Sequence, residues 1–398
     1  MLKTISKPQT QHIDPKDIAF WSQVRSQFIL ESGHTYFNNA ALGMPPKPVR
    51  DDVAAGFRLM SENPSKAKKV FPSYLEDELR PALADFLGAE ADEIALARNA
   101  TEGLYHIVNG LSLVRGDQVL VTSQEHPSAM RPWKVRAERD GIEIKEIHIP
   151  SPLFSEDDII ERISGAIDEN TKVLFFCHVT RGGYLYPVKR LCTLARDRGL
   201  ISAIDGAQAV GMLNVDLADV GCDLYTNSLH KWFLGPAGTG FLYVNRSIRS
   251  SFRTLYTPAA EIGEDARVYE IQGTYDLPVR AALGTSLDFL NRIGILNIEN
   301  RLRSLSDYLR MALLSVPKLR LLTDSSHQIS SPGSTIFEFE GFSAVRWPGI
   351  MQEQAKIHID DHDRDGHKAL RISTHYYNSE SEIEQCVEQL KEMVRREG

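Results

Sequence analysis

Four short apolar runs, separated by stretches of helical pattern, place the strongest constraint on the fold of this chain. The runs are residues 117–123, 171–180, 200–208 and 222–230. Amphipathic stretches at residues 131–141 and 188–199 each end in glycine, as helices often do. Near-continuous apolar strands that alternate with helices of about 10 to 15 residues are typical of a mostly parallel sheet covered on both faces. The sequence therefore predicts an α/β fold.

The pattern changes after about residue 285. Residues 290–314 have the period of a long helix, residues 334–341 alternate like a strand, and residues 381–398 form a last helical pattern. A further helix is predicted from residue 20 to a stop near Ser32 and Gly33. We expect a large domain over residues 36–284 and a smaller α+β C-terminal domain over residues 285–398. The N-terminal arm and helix, residues 1–35, are expected to pack with the smaller domain.

Composition and charge exclude several classes of function. The formal net charge is −8, and the basic cluster at residues 66–69 is short, so nucleic acid is not an expected partner. No apolar run reaches the 18 or so residues that a membrane-spanning helix needs, and the polar N-terminus lacks the apolar core of a signal peptide. The four cysteines form no CxxC pair, so neither a zinc site nor a disulfide framework is indicated. We expect a cytoplasmic protein.

Polar side chains follow each of the four predicted strands. Since parallel sheets bind ligands at the carboxyl ends of their strands, these side chains are expected to form one site. In chain order they are Glu125, His126, His178, Thr180, Asp205, Gln208, Ser228, His230 and Lys231.

Lys231 and Asp205 have complementary chemistry at this edge. Lys231 lies between His230 and Trp232, in an apolar setting that favours the uncharged, nucleophilic amine. Asp205 ends a buried strand, where a carboxylate needs a cation or hydrogen-bond donors. A pyridinium nitrogen is such a partner, and the pair of an aspartate with a lysine that forms a Schiff base is characteristic of pyridoxal phosphate (PLP) enzymes.

A phosphate site is predicted within residues 97–111. Asn99, Ala100 and Thr101 lie at the start of a predicted helix, whose free N–H groups and positive dipole end favour an anion. Ser228 and His230 are placed to close around the same anion.

Several of these segments together resemble one known family. The segments YFNNAALG, NATEG, EHPS, DGAQAVG, and SLHKW followed by GPAGTGFLYV, are similar to those of the class V aminotransferases of PLP fold type I, a family that contains cysteine desulfurases, C–S lyases and isopenicillin N epimerase. The resemblance runs from about Tyr36 to the final helix. It implies the PLP-dependent transferase fold of type I, with a mostly parallel, seven-stranded type of sheet in the large domain.

The resemblance also implies residue roles. Lys231 would hold PLP as a Schiff base, Asp205 would pair with the pyridine nitrogen, and His126 would stack on the ring. Gln208 would donate to the phenolic oxygen, and Thr180 would be a further cofactor contact. The phosphate would be bound by Ala100, Thr101, Ser228 and His230, and by Thr274 from the neighbouring subunit of a homodimer. Asn39, Arg181 and Arg371 would bind the substrate, with Arg371 on its carboxylate.

The reaction remains open between several chemistries. Cysteine desulfurases need a cysteine shortly before the carboxylate-binding arginine, and residues 342–370 contain none, so sulfur transfer by that route is not expected. The working hypothesis is proton abstraction by Lys231 from Cα of an amino acid or a derived substrate. It leads to epimerisation or to β-elimination of a sulfur leaving group, and transamination is the alternative. A PLP-binding regulator or an inactive scaffold is the non-enzyme alternative, although the first 35 residues are too short for a helix-turn-helix extension.

Several residues keep two interpretations. Arg181 binds a second acidic group of the substrate or pairs with a surface carboxylate of the chain. His178 is either a core or an active-site histidine. His358, His362 and His367 fit a solvated hairpin or loop better than a metal site, and no metal is expected.

Overall fold

The structure, a computed structural model, describes residues 2, 4–255, 265–271, 273–323 and 326–397. Its strands are β1 (Thr35–Tyr36), β2 (Ile94–Ala97), β3 (Gln118–Thr122), β4 (Glu143–Ile147), β5 (Thr171–Cys177), β6 (Ile201–Asp205), β7 (Leu224–Ser228), β8 (Gly240–Val244), β9 (Leu319–Leu321), β10 (Ser334–Phe339), β11 (Ile357–His358), β12 (Asp360–Arg364) and β13 (His367–Ser373). Its α-helices are α1 (Ile18–Arg25), α2 (Lys47–Glu62), α3 (Pro64–Tyr74), α4 (Arg80–Leu87), α5 (Ala100–Gly110), α6 (Pro127–Asp140), α7 (Glu156–Ala166), α8 (Val188–Asp197), α9 (Leu217–Val220), α10 (Leu277–Ala281), α11 (Leu283–Ile293), α12 (Ile295–Leu313), α13 (Trp347–Ala355) and α14 (Glu380–Glu397). Short π and 3₁₀ segments lie at Leu75–Leu79, Ala91–Glu93, Arg246–Ser251 and Ala266–Glu270.

The central sheet has the predicted α/β architecture. In the described part of the chain it has seven strands in the order β2-β8-β7-β6-β5-β3-β4. Strands β4, β3, β5, β6 and β7 are parallel, and β8 runs antiparallel to both of its neighbours. The parallel strands place their carboxyl ends at one edge, and this architecture confirms the fold class.

Both faces of the sheet are covered, as the continuous apolar runs predict. On β3, Val119 and Val121 pack into one buried cluster together with Trp133 of α6. Leu120 points to the opposite face and packs with Ile159 and Ile163 of α7. All three β3 side chains are buried, because alternate residues of a strand face opposite sides of the sheet.

A second, antiparallel sheet lies towards the C-terminus. Its order is β12-β13-β10-β9, and it packs with α12 and α14 around a separate buried cluster. The N-terminal arm contacts this part of the chain, since Arg301 of α12 donates to the carbonyl oxygen of Pro15 and Arg25 pairs with Glu382 of α14. The domain boundaries at residues 36 and 285 remain a prediction.

Two helices differ from their predicted extents. The helix expected to run from residue 20 to about residue 32 covers only Ile18–Arg25, because the chain turns at Ser26, which caps it. The long helix expected over residues 290–314 is broken in two at Gly294, whose φ of 87° is incompatible with an α-helix. Among the described residues, no helix has both the length and the apolar character needed to cross a membrane.

Candidate active site

A cavity of about 380 Å³ opens at the carboxyl edge of the central sheet. Ten of the predicted site residues line it: Ala100, Thr101, His126, Arg181, Asp205, Gln208, Ser228, His230, Lys231 and Arg371. They come from six separate segments of the chain, five of them at the carboxyl edge of the parallel strands and the sixth, with Arg371, on β13 of the second sheet. Five other predicted residues do not line this cavity: Asn39, Glu125, His178, Thr180 and Thr274.

Lys231 lies in the turn that follows β7, and its amine is held in a site of low polarity. Burial lowers the pKa of this amine from 10.5 to about 8, Arg371 and Arg181 act in the same direction, and Asp205 opposes them. The turn is packed closely against the N-terminal segment, because a Cβ on Gly43 would lie 1.9 Å from the carbonyl oxygen of Lys231. The amine therefore has a larger uncharged fraction near neutral pH than an ordinary lysine, as nucleophilic or basic action requires.

Asp205, the last residue of β6, is a buried carboxylate with few partners. One of its oxygens accepts a hydrogen bond from the N–H of Ala207 at 3.0 Å. Burial raises the pKa of this carboxyl group, while the Ala207 N–H and the charge of Lys231 oppose the change. In the described part of the chain the other carboxylate oxygen makes no hydrogen bond, so it is available to a cationic N–H donor in the cavity.

The start of α5 provides donors for an anion. The N–H of Ala100 donates to Ser228 Oγ at 2.9 Å, and the N–H of Glu102 donates to the capping oxygen of Asn99 at 2.9 Å. The N–H of Thr101, between them, makes no hydrogen bond to the described residues. Thr101 therefore offers a free donor at the positive end of the helix dipole.

A glycine keeps this helix close to the sheet. A Cβ on Gly103 would lie 2.0 Å from Thr226 Oγ1 of β7, so only glycine allows the observed approach. His230 adds a second free polar group at the cavity, since its Nδ1 is buried and has no partner among the described residues.

His126 caps α6 and is neutral. Its Nδ1 accepts a hydrogen bond from the N–H of Ser128 at 3.2 Å and lies 2.6 Å from the Ser128 hydroxyl oxygen. Although one side of the ring is open, partial desolvation lowers the pKa of His126 to about 4, and the positive charges of Lys231 and Arg181 contribute. Because Nδ1 accepts a backbone N–H, the proton of the neutral ring lies on Nε2. His126 is thus a donor through Nε2.

Gln208 is held in one orientation. Its Nε2 donates to the carbonyl oxygen of Ala40 at 2.9 Å, and its Oε1 accepts from Trp232 Nε1 at 2.8 Å. One of the two amide hydrogens on Nε2 therefore remains for another acceptor. Trp232 is itself fixed by stacking on His375, with ring centroids 5.3 Å apart.

Two arginines and one aspartate form the opposite part of the lining. Arg371 on β13 is buried, and its Nη2 donates to Asp360 Oδ2. Arg181 Nη2 lies 3.3 Å from the same oxygen and donates to the carbonyl oxygen of Asp361 at 2.9 Å. Burial lowers the pKa of Arg371 to about 10, while Asp360 opposes this shift, so Arg371 is cationic at neutral pH. Arg181 thus pairs with a carboxylate of the chain itself.

Two of the predicted residues outside the cavity, Thr180 and Asn39, are hydrogen-bonded within the fold. The Thr180 hydroxyl oxygen accepts from the N–H of Tyr184 at 3.1 Å, and Val179 lines the cavity in its place. The amide of Asn39 donates to the carbonyl oxygen of Ser373 at 2.8 Å and its oxygen accepts from Tyr377. These contacts engage both side chains within the fold, and the geometry does not favour their predicted ligand contacts.

Thr274 and two histidines also lie apart from the site. Thr274 lines a separate surface cavity with Arg98, Gly238 and Tyr275. His178 Nδ1 is 2.9 Å from the Tyr225 hydroxyl, and this histidine does not line the active-site cavity. His362 belongs to the hairpin of β12 and β13, as expected, but it is buried rather than solvated.

Sequence reasoning missed Asp360. The residue lies directly opposite Arg371 in the antiparallel register of β12 and β13. A signal was present, since Asp365-Gly366 is typical of a two-residue hairpin turn. Counting back from this turn pairs Arg364 with His367 and brings Asp360 opposite Arg371.

The lining fits PLP. It combines an amine of lowered pKa, a buried carboxylate with an unused oxygen, and unsatisfied donors at a helix start. Comparison with known proteins agrees with this fit, because the family model of class V aminotransferases matches residues 35–386. The chain belongs to the class V aminotransferase family.

Individual relatives support the assignment. The chain is 31% identical to an isopenicillin N epimerase of Amycolatopsis lactamdurans, across 94% of this chain and 99% of that protein. It is 27% identical to a probable cysteine desulfurase of Methanothermobacter thermautotrophicus, across 93% of this chain and 97% of that protein.

Solved structures share the fold. A variant of C-DES with glycine covalently linked to the PLP cofactor superposes with a TM-score of 0.84 at 23% identity, covering 92% of this chain and 98% of that one. A complex of the cystine C–S lyase C-DES with cysteine persulfide gives a TM-score of 0.82, also at 23% identity, over 90% and 98% of the two chains. The predicted family, fold, cofactor and enzyme class are confirmed, whereas the roles of single residues stay predictions.

Proposed function

We propose that the protein is a PLP-dependent enzyme of the epimerase or C–S lyase type and that epimerisation at Cα of an amino acid or a derived substrate is its reaction. The observation that carries the proposal is the Lys231 amine, with a pKa of about 8, in the same cavity as Arg371 and His126. Bound PLP supplies the electron sink that makes a Cα proton removable. The protein then has to bind the carboxylate, remove the proton and return one.

Each step has a candidate residue in the cavity. Arg371 binds the substrate carboxylate, and the uncharged amine of Lys231 removes the proton from Cα. Asp205 would accept a hydrogen bond from the ring nitrogen of the bound cofactor and so support its electron-sink chemistry. Inversion also requires a donor on the other side of Cα. In this proposal His126 supplies it: Nε2–H gives its proton to Cα while Nδ1 takes the proton of the Ser128 hydroxyl, whose oxygen lies 2.6 Å away, and solvent reprotonates Ser128. Thr101, Ser228 and His230 would hold the phosphate of the cofactor.

The cysteines argue against a desulfurase reaction. All four are buried, and burial raises the pKa of Cys192 and Cys386 to about 12 and those of Cys177 and Cys222 well above their usual range. Such thiols stay protonated, and although Cys177 lines the cavity, a protonated thiol is a poor sulfur acceptor. The relative at 31% identity bears the name of an epimerase, which favours epimerisation over β-elimination.

Proton exchange in deuterated water tests the reaction. We expect the holoenzyme to place deuterium at Cα and to invert its configuration, when a panel of free and side-chain-modified amino acids is followed by NMR and chiral chromatography. Lys231→Ala should abolish exchange, because the base is lost. His126→Gln should retain exchange but lose inversion, because only the second donor is removed. Lys172→Ala, on an exposed lysine of β5, is the matched control and should keep both.

Other products would contradict epimerisation. Pyruvate and ammonia released with a thiol or persulfide would identify a C–S lyase, and a requirement for a keto acid would identify an aminotransferase. Replacing all four cysteines with alanine should leave the reaction intact in protein that folds. A persulfide on Cys386 that turns over with substrate would contradict the exclusion of desulfurase chemistry.

We also propose that the protein acts as a homodimer in the cytoplasm, with Thr274 reaching the phosphate of the partner subunit. The cavity that contains Thr274 and Arg98 supports this assignment, since Arg98 directly precedes Asn99 of the active-site lining. Light scattering should give twice the monomer mass, and Thr274→Ala should weaken PLP binding. A monomer with full PLP affinity would contradict the proposal, and cell fractionation tests the location.

A further inference from the structure

The charges of the cavity lining divide into two groups. Lys231 and Asp205 belong to the part that fits the cofactor. Arg181, Arg371 and Asp360 are the other charged side chains of the lining, apart from its two histidines. His126 and His230 both have pKa values below that of an ordinary histidine, and partial desolvation is the first cause in each case. The substrate therefore meets two arginines and one aspartate, with a net charge of +1.

A single oxygen of Asp360 interacts with both arginines. Its Oδ2 accepts from Arg371 and lies 3.3 Å from Arg181 Nη2. The arginines are also linked directly, since Arg371 Nη1 donates to the carbonyl oxygen of Arg181 at 3.3 Å. Asp360 thereby holds two cations side by side that would otherwise repel each other.

The buried arginine retains an unused donor beside this contact. Arg371 Nε is buried and has no partner among the described residues. The Nε and Nη2 groups of a guanidinium form one edge that a carboxylate binds with both of its oxygens. Asp360 occupies only Nη2 on this edge, so a substrate carboxylate that takes its place there gains a donor that Asp360 does not use.

We propose that Asp360 is a specificity-determining residue that limits the substrate site to one carboxylate. It neutralises one of the two arginine charges, so a single substrate carboxylate completes the charge balance. A second anionic group beside that carboxylate meets no unpaired arginine among the described residues of the lining, and it lies close to Asp360. Asp361 adds negative potential at Arg371 and strengthens this bias. The inference rests on the proposed function, which assigns Arg371 to the substrate carboxylate.

Binding of unreactive carboxylates tests the inference without turnover. Butyrate and succinate have the same number of carbons, differ by one carboxylate and lack the amino group that the reaction needs. Their dissociation constants for the holoenzyme are measured by calorimetry. We expect the wild type to prefer butyrate, and Asp360→Asn, with a net charge of +2, to shift the affinity ratio towards succinate by about tenfold, which corresponds to about 1.4 kcal/mol.

Further variants change the net charge of the substrate part of the lining in other ways. Arg181→Gln leaves Asp360 with Arg371 alone, and it should weaken binding of both ligands by about tenfold. The double variant Asp360→Asn/Arg181→Gln restores a net charge of +1 and should return to the butyrate preference. Asp363→Asn is the matched control, because Asp363 lies on the same hairpin and pairs with Lys368 outside the cavity. It should keep the wild-type ratio.

Three results would overturn the inference. The first is a ratio of succinate to butyrate affinity in Asp360→Asn that lies within about twofold of the wild-type ratio. The second is a double variant that keeps a preference for succinate. If Asp360→Asn does not fold, unchanged butyrate binding by Arg181→Gln is the third. The proposed function fails separately, since a charge-dependent ratio without deuterium exchange at Cα would leave this inference standing.

Discussion

Replacing Lys231 with methionine should stabilise the cofactor-free protein at neutral pH. Methionine fills a similar volume without a charge, whereas the protonated amine of Lys231 is desolvated in the folded state. The difference between a pKa of about 8 and the ordinary value of 10.5 corresponds to about 3 kcal/mol of destabilisation. The Lys231 side chain is only half-buried, which reduces this cost. The substitution also removes the attraction between Lys231 and Asp205. We therefore expect a gain of about 1 to 2 kcal/mol in the free energy of unfolding.

The pH dependence of this gain has a definite sign. The folded state holds the Lys231 proton less tightly than the unfolded state, so stability rises with pH wherever only the unfolded state is protonated. The cost of the lysine is complete below pH 8 and disappears as the pH rises from about 8 to 10.5. The advantage of Lys231→Met should shrink over that interval.

Thermal unfolding of the cofactor-free proteins measures the effect. At pH 7 the melting temperature of Lys231→Met should exceed that of the wild type by about 1 to 3 °C, because about 1 kcal/mol shifts the midpoint of a chain of 398 residues by about 1 °C. Lys172→Met is the control and should change little, since Lys172 is exposed. A Lys231→Met protein that is less stable than the wild type, or one whose advantage is equal at pH 7 and pH 10, would refute the reasoning.

Three further predictions concern other parts of the site. Asp205→Asn should lower turnover by about 10- to 100-fold while the protein still binds PLP, because one charge-assisted hydrogen bond of about 1.5 to 3 kcal/mol is lost; unchanged turnover in steady-state kinetics would contradict the role of Asp205. Burial raises the pKa of Glu125 to about 8, so the wild type should lose stability relative to Glu125→Gln as the pH rises from about 4.5 to 8. A melting-temperature difference between the two proteins that stays constant across that range would contradict a buried acid. Gly103→Ala should weaken PLP binding in an absorbance titration, because the new Cβ pushes the start of α5 away from Thr226, whereas Gly165→Ala in α7, where a Cβ has open space, should not.

The sheet and the cofactor part of the site could be predicted from the sequence because they depend on local patterns. The runs at 117–123, 171–180, 200–208 and 222–230 contain the strands Gln118–Thr122, Thr171–Cys177, Ile201–Asp205 and Leu224–Ser228. Strand β4 was not predicted, since its residues Glu143–Ile147 are largely polar and lie at an edge of the sheet.

The rest depends on contacts between distant residues. Asn39 and Thr180 belong to the expected segments, but which way a side chain points is decided by partners such as Tyr377 and Tyr184. The pairing of Asp360 with Arg181 joins residues 179 positions apart. No local pattern around Arg181 distinguishes a substrate contact from such an internal ion pair.

The parallel pairing of β1 with β11 has a consequence for synthesis of the chain. Thr35 pairs with Ile357 and Tyr36 with His358, so β1 has no strand partner until β11 has been synthesised. The cofactor part of the cavity comes from residues 99–231, whereas Arg371 is added about 140 residues after Lys231. At about 5 to 20 residues per second, the ribosome needs roughly 7 to 28 s for that interval. The growing chain therefore carries its cofactor-binding residues well before it can hold a substrate carboxylate.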